Sequence, residues 1–493
     1  MKKSEELGVT KTLEIDRDQM EQMVGHLESI SGSVHETINV NRTHFGPISK
    51  EGTLKSMTLQ EKICREEKNS LSQHTSIQLQ GSADTEHAFE VEVGVPIGEG
   101  GFSTIYSAQQ KTLRREVAIK IPHSGRATQK HKNILVEEAL RMAQLEHPNI
   151  MPVYSLGYDN DGNPILLMKK IEGVTWLDII IDEEHSFWEE QTGDPLRVHL
   201  KILIQVCHAL EYAHSKSIIH RDIKAANVMI GSFGEVYLLD WGIAAELDDS
   251  GVYVPPSFCG TPVCAAPEMV IPSFPLDIKT DVYLLGSLLH RILTKEERHK
   301  GSNLLAIFSN ICTGEVYQYP LHIHPILASI CQKANATLST ERYENVRQFR
   351  EEIERFLQIQ ETLILLEKSQ HKLALFELEV QADQPNEYKI HQYAFQCRFG
   401  FQNVIEKDPT LKKAQDLLVK SIILHFRFEI QQGQLNIARR ILKELQELAV
   451  ADDMIVPLQE ELQSEEERRQ RSNELATQIQ YKLLEQIQQL KKG

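Results

Sequence analysis

Ile219-His220-Arg221-Asp222-Ile223-Lys224-Ala225-Ala226-Asn227, followed thirteen residues after its last Asn by Asp240-Trp241-Gly242, is the stretch that decides how this chain is read. It sets a carboxylate, an ammonium, a carboxamide and a second carboxylate in fixed order: Asp222, Lys224, Asn227, Asp240. Moving a phosphoryl group calls for that set of groups. One group orients the attacking hydroxyl and takes its proton, a cation sits on the moving phosphate, and oxygen ligands hold magnesium.

Upstream, Ile97-Gly98-Glu99-Gly100-Gly101-Phe102-Ser103-Thr104-Ile105-Tyr106 is a glycine-rich run. It lies between Phe89/Val91/Val93/Val95/Ile97 and a segment around Ile105, apolar runs that read as strands. Glycines let a backbone fold over phosphates with no side chain in the way. By itself such a run is more often a plain turn. Here Val117-Ala118-Ile119-Lys120 follows at strand spacing, then an amphipathic helix over about 133–145, then His147-Pro148-Asn149-Ile150. Downstream stand Gly260-Thr261-Pro262-Val263-Cys264-Ala265-Ala266-Pro267-Glu268, Asp281-Val282-Tyr283-Leu284-Leu285-Gly286 and Thr340-Glu341-Arg342-Tyr343.

Together these motifs resemble those of protein kinases over about residues 89–357, and most closely the bacterial Hanks-type serine/threonine kinases. The resemblance implies an α+β fold: a bilobal kinase domain with a β-rich N-lobe and a helical C-lobe. It implies ATP and Mg²⁺ as cofactors. Asp222 would be the base, Lys224 would sit on the γ-phosphate, and Lys120 would hold the α- and β-phosphates while paired with Glu138. Glu137 is the runner-up, and a solvated helix face is the plain alternative for both. Asn227 and Asp240 would hold the metal. Ile97, Gly98, Gly100, Ser103, Ile105, Ala118, Met168 and Met229 would surround the nucleotide, with the backbone of 169–171 on the adenine edge. Glu268, Asp281 and Arg342 are structural expectations, the first and last as a buried pair. Arg221 would meet a phosphorylated residue of the activation segment, where Ser250, Tyr253 and Ser257 are candidates.

The chain departs from the family pattern in places. Ser103 replaces the third glycine, Trp241 replaces the usual Phe, and Tyr283-Leu284 replaces Trp-Ser. Lysines 169 and 170 stand where the hinge commonly has an acidic and an aromatic residue. No catalytic position is lost, so an active serine/threonine kinase is the first reading. A nucleotide-binding, pseudokinase-like scaffold acting through its tail is the second, supported by Trp241 and the long appendages.

Composition fits a globular protein of more than one domain: 493 residues, 41% hydrophobic and 25% charged. A net charge of −17 argues against a nucleic-acid partner. Seven cysteines without a C-x-x-C pair argue for a reducing, cytoplasmic setting and against a zinc site. With no apolar leader and no run of about 18 apolar residues, neither a signal peptide nor a membrane span is expected. Asp182, Glu183, Glu184, Glu189, Glu190 and Asp194 form an acidic cluster that reads as a solvated loop before a substrate-attracting patch.

Four segments follow. Residues 1–86 are a polar arm with one short periodic stretch (Leu13, Met20, Met23, Val24, Leu27, Ile30), either a tail or a regulator docked on the kinase. Residues 87–357 are the kinase domain, split into 87–168 and 172–357. Residues 358–450 are helical, read either as tetratricopeptide-like pairs that hold a protein partner or as a bracing bundle. Residues 451–493 carry Leu475, Ile479, Leu483, Ile487 and Leu490 on one stripe. That stripe is a short coiled coil of a homodimer or a helix packed onto its own chain.

Overall fold

The computed structural model describes residues 11–16, 18–20, 22–23, 76–79, 89–99, 103–123, 128–314, 316–448 and 451–490. Gly100, Cys64 and the arm positions Val24, Leu27 and Ile30 lie outside the described residues. The chain divides into two compact units, Met1–Phe356 and Leu357–Gly493.

In the first unit, strands β1 (Leu13–Ile15), β2 (Ser76–Leu79), β3 (Phe89–Glu99), β4 (Ser103–Gln110) and β5 (Arg115–Pro122) precede helix α1 (Gln129–Ala143). Strands β6 (Val153–Tyr158) and β7 (Pro164–Met168) complete the N-lobe sheet, whose order is β2-β3-β4-β5-β7-β6. Alternation places Val91, Ala108, Val117, Ile119, Ile165 and Leu167 in one buried cluster on this sheet. The β3–β4 register slips between Val93 and Pro96 and again before Gly98, because Pro96 has no N–H for the ladder. Gly94 is needed where the strands close up: a Cβ there would meet the Ser107 Oγ at 2.7 Å.

Helix α1 starts from a capping box in which Thr128 and His131 exchange bonds. It buries Leu135, Glu138, Ala139 and Met142, one face at helical spacing that includes a carboxylate.

Strand β8 (Gly173–Thr175) and helices α2 (Trp176–Ile181) and α3 (Pro195–Ser215) open the C-lobe. Asp194 caps α3 and Pro195 stands at its first turn, where a missing N–H costs nothing. Then come β9 (Ile218–Ile219), β10 (Val228–Gly231), β11 (Val236–Leu238), β12 (Ala245–Glu246) and β13 (Phe258–Gly260). Helices α4 (Ile278–Thr294), α5 (Leu304–Thr313) and α6 (Pro325–Ala334) finish the lobe. Helix α4 is buried almost all round, from Thr280 to Ile292, which makes it the lobe's central post. The molecule is thus α+β, with a sheet-rich first part, a helical second part and an all-helical extension.

That extension begins within α7 (Val346–Val380) and continues through α8 (Glu387–Lys407), α9 (Lys412–Gln432), α10 (Leu435–Glu447) and α11 (Asp452–Leu490). Its core is a separate cluster that includes Phe376, Phe401, Phe426, Leu445 and Leu458. Gly433 ends α9 in the left-handed conformation that favours glycine. Leu475, Ile479 and Leu483 on α11 are more than half exposed, so no described residue covers this part of the stripe. No helix among the described residues is long and apolar enough to cross a membrane.

Candidate active site

Asp222, Lys224 and Asn227 lie between β9 and β10, and Asp240 follows β11. Asp281 at the start of α4 holds this loop from beneath. Its carboxylate accepts the backbone N–H of His220 at 2.8 Å and of Arg221 at 2.9 Å, and lies 2.7 Å from His214 Nε2. Burial alone would raise the Asp281 carboxyl, but the His214 contact and the amide donors hold it below its usual range. Arg221 and Asp240 adopt left-handed backbone conformations, φ 68° and 57°, of the kind that clusters at working sites.

Asn227 donates its amide to the Asp222 carbonyl at 2.8 Å and to the Asp222 carboxylate at 3.0 Å. Both amide donors therefore face Asp222, and the Asn227 oxygen is the side-chain atom these bonds leave unused. Lys224 Nζ stands 2.9 Å from Asp222 Oδ2. Thr261 bridges the two, donating to Asp222 Oδ1 at 2.6 Å and accepting from Lys224 at 2.8 Å. Burial would lower the Lys224 ammonium, but Asp222 more than reverses this and raises it.

In the N-lobe, Lys120 donates to both Glu138 oxygens, at 2.7 and 2.8 Å. Glu137 instead makes an exposed pair with Arg141, one turn on. Lys120 also reaches Asp240 Oδ1 at 3.4 Å, which links the two lobes. Burial pushes the Lys120 ammonium down, yet Glu138 and Asp240 together hold it well above its usual value. Lys120 in turn holds the Asp240 carboxyl below its usual range. A Cβ on Gly242 would come within 3.3 Å of Asp240 Oδ1 and 3.4 Å of Glu138 Oε2, so glycine keeps room beside both carboxylates.

Ala118 and Met168 face each other in the β5–β7 register and are buried. Ile105 and Met229 are partly buried on β4 and β10, Ser103 is buried at the start of β4, and Ile97 is exposed. The Lys169 N–H donates to the Pro152 carbonyl at 3.1 Å, and its ammonium meets the Tyr237 hydroxyl. The Lys169 N–H is therefore already engaged within the chain.

Trp241 is fully buried, with its ring edge-on to His220 at 4.6 Å. Its indole N–H is buried without a partner among the described residues, an arrangement that Phe would avoid. Arg221 stacks on Tyr253, 4.7 Å from the ring, and donates to the Ile243 carbonyl at 2.6 Å. Ser250 donates to Asp248 at 2.6 Å.

One residue at the site escaped the sequence reading. Thr12, from the N-terminal arm, donates its hydroxyl to Asp222 Oδ2 at 2.6 Å and accepts from Lys224 at 2.9 Å. Nothing in Thr10-Lys11-Thr12-Leu13 distinguishes it from an ordinary polar stretch.

A sheet lysine paired with a helix glutamate, over a loop that presents Asp, Lys and Asn, defines the protein kinase class. The chain belongs to the protein kinase family: residues 91–363 match the family model described as protein kinase domain. Among similar proteins is a serine/threonine-protein kinase PknD of Protochlamydia amoebophila, 31% identical over 290 residues, covering 53% of this chain and 29% of that one. The protein of that name in Chlamydia trachomatis serovar D is 31% identical over 316 residues, 55% of this chain and 33% of that one. In Chlamydia muridarum the figures are 32% over 296 residues, 53% and 31%. The chain thus spans about a third of the length of the curated relatives it matches.

Proposed function

We propose that this chain transfers the γ-phosphate of ATP to serine and threonine hydroxyls of proteins. The observation that carries the proposal is the joined set Lys120–Glu138–Asp240 and Asp222–Lys224–Asn227, together with relatives whose names state serine/threonine kinase activity. Lys120 orients the α- and β-phosphates, and its bond to Glu138 fixes where the ammonium points. Asp222 orients the acceptor hydroxyl and takes its proton. Lys224 stabilises charge on the transferred group. Ala118, Ile105, Met168 and Met229 enclose the adenine.

The residues fit a magnesium ion. Asp240 keeps an ionised, half-exposed carboxylate, and Asn227 has an amide oxygen that its bonds to Asp222 leave unused, the hard oxygen donors this ion takes. When bound, magnesium neutralises charge on the phosphates during transfer. Arg221 is the cation available to a phosphorylated Ser250 or Ser257, and such a pair would displace Tyr253 from its guanidinium. A cytoplasmic site of action is part of the proposal, supported by the six free cysteines among the described residues.

The test is label transfer from γ-labelled ATP to a generic basic protein, followed by phosphoamino-acid analysis. We expect phosphoserine and phosphothreonine, abolished by chelation and restored by magnesium. Phosphotyrosine alone would refute the acceptor class. ATP binding without any transfer would favour the scaffold.

A further inference from the structure

We infer that Thr12 is this kinase's own first substrate, seated in its active site and phosphorylated within the same chain, and that phosphorylation releases the arm that blocks the cleft. The inference rests on the proposed kinase reading and adds the identity of one acceptor and its regulatory consequence.

Three features seat the segment. First, β1 pairs antiparallel with β13 of the activation segment, Leu13 opposite Gly260, Glu14 opposite Cys259 and Ile15 opposite Phe258. Main-chain pairing of this kind is how an extended peptide docks on a free strand edge. Second, the strand and the turn that follows it are anchored. Ile15 and Met20 are buried, and Met20 lies in a small pocket with Pro255, Phe258, Met269 and Ile271. Asp16 tightens the turn between them, accepting Gln19 N–H on its side chain at 2.9 Å and Met20 N–H on its carbonyl at 3.0 Å. Glu14 meets Lys130 of α1 at 2.7 Å. Third, this register delivers Thr12 to the reacting groups, with its hydroxyl proton on Asp222 Oδ2 at 2.6 Å and its oxygen on Lys224 at 2.9 Å.

Those two contacts are what an acceptor hydroxyl needs. Thr12 offers a nucleophile at that place. In the step we infer, Thr12 Oγ bonds to the γ-phosphorus of ATP. The bond from that phosphorus to the β,γ-bridging oxygen breaks, ADP leaves with the electron pair, and the hydroxyl proton passes to Asp222. Once Asp222 has passed that proton on to solvent, the product is a phosphate dianion beside the Asp222 carboxylate, the group 2.6 Å from the Thr12 oxygen. Like charge at that distance opposes the seat. The arm leaves, and the β13 edge and Asp222 become available to other proteins.

The experiment uses the full chain with magnesium and ATP, followed over time by phosphosite mass spectrometry at several protein concentrations. Thr12 should gain phosphate with an initial fractional rate independent of concentration. Transfer to an added basic protein should show a lag that preincubation with ATP removes. Thr12→Val keeps a β-branched strand residue but no nucleophile, and should lose the preincubation effect. Hydrogen exchange of the nucleotide-free chain should show protected amides at Phe258–Gly260, and those amides should become faster in the Thr12-phosphorylated chain. Transfer to the added protein with no phosphate on Thr12 would overturn the inference and leave the kinase reading standing. Fractional labelling that rises with concentration would overturn the same-chain step. Unprotected Phe258–Gly260 amides before ATP would overturn the seat, whatever the transfer assay gives. No transfer to any acceptor would remove the kinase reading, and the Thr12 step with it.

Discussion

Lys120→Met and Glu138→Gln are each expected to lower kcat/KM for phosphate transfer by about 10²–10³, the scale of losing one preorganised electrostatic group. The two residues act through one ammonium. Glu138 holds Lys120 by both oxygens, at 2.7 and 2.8 Å, and Asp240 approaches the same ammonium at 3.4 Å. Removing the Lys leaves a buried carboxylate next to Asp240. Removing the Glu charge frees the Lys to fall toward Asp240, 3.4 Å away, and out of the position in which the proposal has it hold the phosphates. The double variant should therefore be little worse than either single one, because the second change removes nothing that still works. Steady-state transfer by the three variants checks this, with circular dichroism to confirm the fold. Fully additive losses would mean that the two residues serve separate tasks.

Arg342→Ala is expected to destabilise the first unit by about 3–5 kcal/mol, the usual effect of stranding one partner of a buried ion pair. Arg342 and Glu268 are both buried and joined by two bonds, at 2.7 and 2.8 Å. Thr280 adds a third contact to Glu268 at 2.9 Å, and Arg342 also donates to the carbonyls of Ala336, Lys279 and Thr337. Burial would raise the Glu268 carboxyl, but Arg342 outweighs it and holds the carboxyl below its usual range. A depressed folded-state value means that this pair's stabilisation is present above the unfolded-state value of about 4.3 and is lost as pH falls through the folded one. Without Arg342 the stranded carboxyl takes up a proton more readily, so the variant recovers stability in acid. The gap between wild type and Arg342→Ala should narrow as pH falls below neutrality toward the carboxylate range. Urea unfolding at several pH values measures it. Replacing both partners with Leu should recover much of the loss, since no charge is then stranded.

The parts of the site that the sequence displayed are those whose spacing is local. Asp222, Lys224 and Asn227 sit on one short loop, and the chemistry of that triplet can be read without tertiary structure. In the sequence, Glu138 is preferred to Glu137 only through the resemblance to the kinase family, with Glu137 as runner-up. The helix then turns Glu138 inward to Lys120 and Glu137 outward to Arg141. The fold class followed from the order of the motifs, and the strand alternation of β3 and β5 agreed with it. Other features depend on contacts that no window contains. Thr12 lies 210 residues before Asp222, and its place is set by pairing with β13 and by the burial of Met20. The engaged Lys169 N–H depends on where β6 begins, and the orphan indole of Trp241 depends on how His220 packs. The exposed stripe of α11 shows the opposite limit: periodicity gave the helix face, while what covers that face is not encoded in its period.

The central claim is that Asp222 serves transfer of the γ-phosphate to a Ser or Thr hydroxyl, and the initial rate of wild type beside Asp222→Asn tests it most directly. Both proteins would be preincubated with magnesium and ATP before a basic protein acceptor is added, with the rate taken from that addition and ATP affinity measured on each. The account predicts phosphoserine or phosphothreonine in wild type, a rate lower by at least about 10² in the variant, and ATP affinity little changed. Equal rates in the two proteins would contradict it.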